Sequence, residues 1–277
     1  MLHPKISNVS ATRHILKVFD LRASKKLGQN FLIDEGVVTG IVDAAEISEG
    51  EKVLEIGPGI GTLTQGLLEA GAHVTAVELD KKLPAVLAQT LAGYENFKLV
   101  QGDILKVDIA ELMPQNFKVV ANLPYYITTQ ILLTLMEKKL PITKIVTMVQ
   151  REVAERMIAA PNSKIYGAMS VAVQFRADCR IAFDVPPESF LPRPEVTSSV
   201  VVCDVHEPKF KVDENFFTKV VRAAFGQRRK TLINSLIGGG FQRDAVINAL
   251  DAAGIDFTRR AETLTLEEFA AISNFLR

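Results

Sequence analysis

The feature that most constrains this chain is a hydrophobic run broken at once by glycines. Val53-Leu54-Glu55-Ile56 leads into Gly57-Pro58-Gly59-Ile60-Gly61, and a helical stretch follows to Ala70. Further β-rich runs recur at residues 74–77, 98–100, 118–121 and 144–149, with helical segments between them, notably 130–138 and 152–160. Short strands alternating with helices predict a mostly parallel sheet covered on both faces. Two later strands, 170–175 and 198–205, are expected to flank a proline-rich loop at 186–194, for seven strands in all. Past about residue 206 the pattern changes. Phe216, Phe217, Val220, Val221 and Ala224 repeat at helical spacing, as do Leu232, Ile233, Leu236 and Ile237. Thr265-Leu266-Glu267-Glu268 reads as a capping box opening a last helix. The expected division is a basic arm over 1–23, an α/β domain over 24–206 and an all-helical domain over 207–277.

Composition narrows the function classes. The 277 residues carry 32 basic and 32 acidic side chains, and 48% of them are hydrophobic, which excludes disorder as the main state. No apolar run approaches the ~18 residues of a membrane helix. Cys179 and Cys203 form neither a CxxC pair nor a disulfide framework, and they suggest a reducing compartment. The four histidines are scattered (His3, His14, His73, His206), so no metal-ligand spacing occurs and no metal is expected. With no secretory signal visible, the expected location is the cytoplasm. The neutral total hides segregation. Residues 1–30 hold six basic groups against one acid, whereas residues 31–120 hold fourteen acids and six bases, a net −8. A chain of zero net charge can therefore still present a basic face to a polyanion. The first residues are basic too, but 12–19 space their apolar side chains as a short amphipathic helix does, so a retained arm is expected rather than a cleaved leader.

Several residues point to chemistry. A glycine loop at the carboxyl end of a first strand lets backbone approach a ligand closely, in dinucleotide-binding and S-adenosylmethionine-binding folds alike. Glu78 ends the second strand, twenty-one residues after Gly57, where a carboxylate can accept both ribose hydroxyls. Asp103 follows the third strand, where it can accept from an adenine amino group. Asn122-Leu123-Pro124-Tyr125 follows the fourth. An adenine N6 amine is a poor nucleophile because its lone pair is delocalised into the ring. An Asn oxygen and the following carbonyl can accept its two hydrogens and favour a pyramidal nitrogen. Pro124 would stiffen that turn, and Tyr125 would offer a face for an extruded base.

With these residues assembled, the chain resembles the ribosomal RNA adenine N6,N6-dimethyltransferases, over roughly residues 24–277. The resemblance rests on Lys26-Leu27-Gly28-Gln29-Asn30-Phe31-Leu32, Glu55-Ile56-Gly57-Pro58-Gly59-Ile60-Gly61 and Asn122-Leu123-Pro124-Tyr125-Tyr126. It continues in Phe190-Leu191-Pro192-Arg193-Pro194-Glu195-Val196-Thr197-Ser198 and Phe225-Gly226-Gln227-Arg228-Arg229-Lys230-Thr231-Leu232. It implies a Rossmann-like S-adenosylmethionine-dependent methyltransferase sheet with a C-terminal all-helical domain. It is most similar to the bacterial small-subunit enzymes, which modify two adjacent adenines in a hairpin near the RNA 3′ end. By the same resemblance Asn30 and Leu32 close over the cofactor with Gln29 beside them, Gly57 lines its methionine part, and Gly59 also binds the cofactor. Glu78 takes the ribose, Asp103 the cofactor adenine, and Asn122 both cofactor and target amine. Phe190 is the second stacking face beside Tyr125. Lys25, Lys26, Arg228, Arg229 and Lys230 are the expected phosphate contacts. The expected partner is small-subunit ribosomal RNA within an immature particle, met by a monomer. Other readings are a large-subunit RNA methyltransferase conferring antibiotic resistance, a nucleotide-dependent oxidoreductase and a mainly non-catalytic assembly factor.

Overall fold

A computed structural model describes residues 4–24, 27–227 and 229–277. The chain divides into two compact units. The sheet unit comprises the chain up to Ala154 together with Cys179–Val205; the helical unit comprises Glu155–Asp178 together with His206–Arg277.

The sheet unit is built on β2 (Lys52–Ile56), β3 (His73–Glu78), β4 (Phe97–Gln101), β5 (Phe117–Asn122), β6 (Ile142–Gln150), β7 (Ala177–Val185) and β9 (Ser198–Val205). Their order across the sheet is β4-β3-β2-β5-β6-β9-β7. The five strands from β4 to β6 run parallel, and β9 returns antiparallel to β6. The central strands are apolar because both faces are covered; Val53, Leu54, Val119 and Val120 are fully buried. The chain builds outward on one side through β3 and β4, then crosses to the other with β5. The point of reversal, between β2 and β5, is where a crevice opens beyond the carboxyl ends of the strands.

Helices α2 (Glu35–Ala45), α3 (Thr62–Glu69), α4 (Leu83–Thr90), α5 (Ile109–Leu112) and α6 (Thr128–Glu137) connect these strands. Asp34 caps α2, accepting from the backbone of Gly36 at 3.0 Å and Val37 at 3.3 Å. A two-stranded ribbon pairs β1 (Phe31–Leu32) with β8 (Phe190–Leu191), setting Leu32 opposite Phe190. The Ser189 hydroxyl donates to Asp34 at 2.8 Å, so the proline-rich loop, whose Leu191–Pro192 peptide is cis, is tied to the segment entering α2.

The basic arm is an integral part of the sheet unit. Its helix α1 (Val9–Val18) buries Thr12, and Ile15, Leu16 and Phe19 pack against the core. Ahead of it, the Ile6 N–H donates to the Gln65 side chain at 2.9 Å, and Lys5 pairs with Glu69 at 2.6 Å.

The helical unit gathers α8 (Ala168–Gln174), α9 (Glu214–Phe225), α10 (Leu232–Gly238), α11 (Arg243–Ala252) and α12 (Leu266–Leu276) around one apolar core. Here the structure corrects the sequence reading. Residues 170–175, expected as a strand, lie in and just after α8. The run Val171-Ala172-Val173 has strand-like composition, but Val171 and Phe175 stand four apart on one helix face. They bury into the helical core, where Phe175 stacks on Phe217 with ring centroids 4.4 Å apart. The seventh strand is instead β7, whose mixed polar sequence suits the edge of a sheet. The compact helical unit accordingly includes residues 155–178, which the sequence reading assigned to the α/β domain. The chain leaves the sheet unit within α7 (Arg151–Met157) and re-enters it within β7.

Candidate active site

A cleft opens at the reversal point of the sheet, walled by the glycine loop, the ends of β3 and β5, and the segment before β1. The loop's backbone explains its glycines. Gly57, Gly59 and Gly61 have φ of 71°, 60° and 94°, a region that costs L-residues strain. A Cβ on Gly61 would also come within 3.2 Å of Leu91. The Gly57 N–H donates to Val77 and the Gly61 N–H to Pro58, both at 2.9 Å, which holds the turn against β3.

Glu78, at the end of β3, is buried, and its two oxygens face different donors. Oε1 accepts from the Asp80 N–H at 2.7 Å, and Oε2 accepts more weakly from the Gly59 N–H at 3.4 Å. Burial raises its pKa above the ordinary carboxylate value, and these backbone donors oppose the rise. Asp103, past β4, accepts from the Leu105 N–H at 3.1 Å through one oxygen. The segment before β1 is fastened over the cavity from the opposite side. Gln29 donates to Asp80 at 2.8 Å while accepting from the Ser24 N–H at 2.8 Å. The Asn30 carbonyl accepts from the Asn122 side-chain nitrogen at 3.4 Å, which leaves the Asn122 oxygen as the acceptor end of that amide.

Beyond Asn122 the turn is rigid. The Leu123 N–H donates to Met148 on β6 at 3.1 Å, and the Pro124 carbonyl accepts from the Thr128 hydroxyl at 2.8 Å. The Tyr125 hydroxyl shares a 2.6 Å hydrogen bond with Ser198, the first residue of β9, which fixes its ring at the cavity wall. Burial raises the Tyr125 pKa, so it stays a neutral phenol.

Of the residues expected at a site, the structure brings Gln29, Asn30, Leu32, Gly57, Gly59, Glu78, Asp103, Asn122, Leu123, Pro124 and Tyr125 to this one cavity. Phe190 is placed differently. It is 1% exposed, packs in the core cluster with Phe31 and Leu32, and is not among the side chains lining the cavity. Arg229 and Lys230 are exposed in the connection from α9 to α10. Lys25, Lys26 and Arg228 lie outside the described residues.

Sequence reasoning passed over two residues. Tyr126, half exposed, also lines the cavity, and Gly28 closes on it: a Cβ there would lie 3.3 Å from the Tyr126 ring. Glu55, in β2, is buried on the cavity floor, and its Oε2 has no hydrogen-bond partner. A carboxylate inside an otherwise apolar strand was the available signal.

The donor set suits S-adenosylmethionine. The cavity is lined by three carboxyl groups, Glu55, Glu78 and Asp103, and by no cationic side chain among the described residues. That field favours a cationic ligand and opposes a pyrophosphate. The orphaned Glu55 oxygen and the positive-φ glycine cradle likewise call for a polar ligand pressed against backbone. Among the described residues no three His, Cys, Asp or Glu side chains group as a metal site requires, and no helix is long and apolar enough to cross a membrane.

Comparison with known proteins agrees with this geometry. Residues 20–277 match the family described as ribosomal RNA adenine dimethylase. The chain is 43% identical to the ribosomal RNA small subunit methyltransferase A of Alkaliphilus oremlandii, over 98% of each chain. It is 45% identical to the protein of that name from Clostridioides difficile, over 98% of this chain and 97% of that one. Among solved structures, it is similar to a dimethyladenosine transferase from Plasmodium falciparum with a TM-score of 0.75 and 24% identity. That alignment covers 87% of this chain and 95% of the other. The 23S rRNA methyltransferase ErmE aligns with a TM-score of 0.66 and 25% identity, over 89% and 99% of the two chains.

Proposed function

Because the chain belongs to the ribosomal RNA adenine dimethylase family, we propose that it dimethylates the N6 amines of two adjacent adenines near the 3′ end of small-subunit ribosomal RNA. The observation that carries the chemistry is the Asn122 amide, held at the mouth of an acidic, glycine-floored cavity with its nitrogen turned to Asn30. S-adenosylmethionine supplies a methyl group on a sulfonium. Around it, Glu78 accepts the ribose hydroxyls, Asp103 accepts from the adenine amine, and Gln29, Asn30 and Leu32 cover the bound molecule.

The target adenine leaves its stack and lies against Tyr125, with Tyr126 beside it at the rim. The Asn122 oxygen and the Leu123 carbonyl take the two N6 hydrogens, which draws the nitrogen lone pair out of conjugation and toward the methyl group. No side chain needs to remove a proton before attack, since the alkylated amine is acidic enough to lose it to water afterwards. Phosphates are held by Arg228, Arg229, Lys230, Lys25 and Lys26, which offset the repulsion between RNA and the acidic sheet unit. The small-subunit substrate is favoured over the large-subunit one by the 43% and 45% identities to small-subunit enzymes across nearly the whole chain, against 25% to ErmE. We place the reaction in the cytoplasm, on an immature particle met by a single copy of the chain.

The test is mass mapping of small-subunit RNA from cells lacking the gene, complemented with wild type or with Asn122→Ala. Wild type restores a pair of dimethyladenosines and the variant does not, while RNA binding by the variant stays within about threefold. Normal dimethylation by Asn122→Ala would overturn the proposed chemistry.

A further inference from the structure

Helix α1 has a fixed place in the sheet unit and an outward face that the chemistry above does not use. It lies wholly ahead of the stretch 20–277 that matches the family, so no role carried over from that resemblance reaches it. Thr12 is buried, and Ile15, Leu16 and Phe19 pack on the core. Helical spacing therefore turns Arg13 and Lys17 to the opposite side, where both are exposed, and Arg22 just past the helix is exposed too. None of these three cations has an ion-pair partner among the described residues. Asp20 is the one acid in residues 4–24, and the two acids that hold the arm from outside, Glu35 and Glu69, are both met by Lys5. Arg13 and Lys17 stand four apart, where like charges repel, so the pair does nothing for the helix itself.

The face is also held rigidly. Asn8 caps α1, accepting from the Ala11 N–H at 2.8 Å. The buried Gln65 amide on α3 grips the chain ahead of it, accepting from the Ile6 N–H at 2.9 Å and donating to the Pro4 carbonyl at 3.0 Å. At the far end the Leu21 N–H donates to the Leu16 carbonyl at 2.8 Å. Three residues on, Ser24 is bonded to Gln29, which is fastened to Asp80 at the cleft. The line Arg13, Lys17, Arg22 thus runs along the chain toward the cover of the donor cleft.

We infer that the outward face of α1, continued by Arg22, is a phosphate-contact surface for the RNA that flanks the target adenines. Charge complementarity selects this occupant. Residues 31–120 are net −8, so RNA approaching the cleft needs a cationic footing on the sheet unit itself, and α1 supplies one beside the cleft cover. Arg13 and Lys17 lie about 6 Å apart along the helix axis, so their heads can reach different phosphates. Such contacts position the backbone and read no sequence. An anionic membrane is the poorer fit, because a helix lying in a bilayer surface inserts its apolar face, and here that face is already spent on the core. The inference rests on reading the chain as one that acts on RNA, and its test separates the two.

The probe is a transcript of the 3′-terminal hairpin region of small-subunit RNA, bound to the full chain over a salt series of about 50 to 200 mM. Replacing Arg13, Lys17 and Arg22 together by Gln should reduce the log–log salt slope by roughly 1.4–2.7, as two or three phosphates lose their partners. With wild-type and variant lines meeting near 1 M salt, binding at about 0.15 M should weaken roughly 14–170-fold. S-adenosylmethionine affinity should not move. Bound RNA should also protect Lys17 of the wild type from acetylation, read by mass spectrometry. Arg13→Lys with Arg22→Lys keeps the charges and should keep the wild-type slope. An unchanged slope and affinity in the Gln variant, Lys17 acetylated equally with and without RNA, or a slope lost in the Lys variant overturns the inference. Loss of binding to phosphatidylglycerol vesicles by the Gln variant, with RNA binding intact, overturns the choice of RNA. Absence of RNA binding by wild type removes the RNA reading and this surface with it.

Discussion

Replacing Phe190 by alanine tests whether this ring is held in the core or stands ready as an open stacking surface. Its side chain is 1% exposed and packs in the core cluster with Phe31, Leu32 and Val200. Its backbone is paired opposite Leu32 in the ribbon that joins the cavity's cover to the proline-rich loop. Truncating a buried Phe to Ala loses its transfer free energy and leaves a cavity, together about 3–5 kcal/mol. For a unit of this size, a urea m-value of about 3 kcal/mol/M converts that loss into a midpoint lower by about 1–1.7 M. The chain has no tryptophan, so unfolding is followed by far-ultraviolet circular dichroism and tyrosine fluorescence. Phe190→Leu, which refills most of the volume, should recover more than half of the shift. Donor affinity should fall with Phe190→Ala as well, because Leu32, paired opposite it, loses its backing. A midpoint within about 0.3 M of wild type, together with abolished methylation, would refute the packing argument and make Phe190 a stacking face alone.

Glu78→Ala removes a charge-assisted acceptor for the ribose and should weaken S-adenosylmethionine by about 1.5–3 kcal/mol, roughly 10–150-fold by calorimetry. Unchanged affinity would sink that role. Replacing Arg228, Arg229 and Lys230 together by Ala should lower RNA affinity and flatten its log–log salt dependence by roughly 0.7–0.9 for each phosphate no longer neutralised. Cofactor binding should not move, and identical slopes would reduce the triplet to a solvated surface. The Glu55 carboxyl gives a pH signature to the empty protein. Its pKa is about 8 folded against an ordinary 4.5, so its favourable contribution is complete below about pH 4.5 and is lost as pH rises through about 8. The loss amounts to at most about 5 kcal/mol. Urea midpoints of Glu55→Gln should therefore fall less than those of wild type between pH 5 and 8, and parallel profiles would contradict the buried neutral acid.

Much of the fold was legible because its signals are local. The run from Val53 to Ala70 announces a strand, a tight turn and a helix, and the structure places β2, the positive-φ glycines and α3 there. Thr265 and Glu268 form the reciprocal cap expected of their spacing: the Glu268 N–H donates to the Thr265 hydroxyl at 3.3 Å, and the Thr265 N–H donates to Glu268 at 2.8 Å. The segment from Ala168 to Val185 failed for the complementary reason. Val171-Ala172-Val173 favours a strand locally, but the apolar pocket that Phe217 helps to form decides for a helix. Ala177–Val185 carries Asp178, Arg180 and Asp184 and looks like surface loop, yet it completes the sheet beside β9. Tertiary context overrides propensity at both places.

The site divides along the same line. Gly57, Glu78, Asp103 and Asn122 could be read as a set because each lies at or just past the end of a successive strand, and a parallel sheet brings all such positions to one edge. Burial cannot be read that way. Nothing in the order of residues says that Phe190 is covered while Tyr126 is half exposed, since that depends on how the loop after β7 lies on the ribbon of β1 and β8. Glu55 is the sharper case. Its place in the strand puts it one residue from apolar neighbours on either side, and only the closed cavity floor turns an ordinary acid into one that must be protonated or paired. A cavity that is acidic, with no cationic side chain among the described residues that line it, therefore has two consequences for the proposed reaction. In that reaction the charge favours a positively charged donor over an anionic nucleotide and repels RNA phosphates, leaving the adenine, a neutral and flat group, to approach the Asn122 amide.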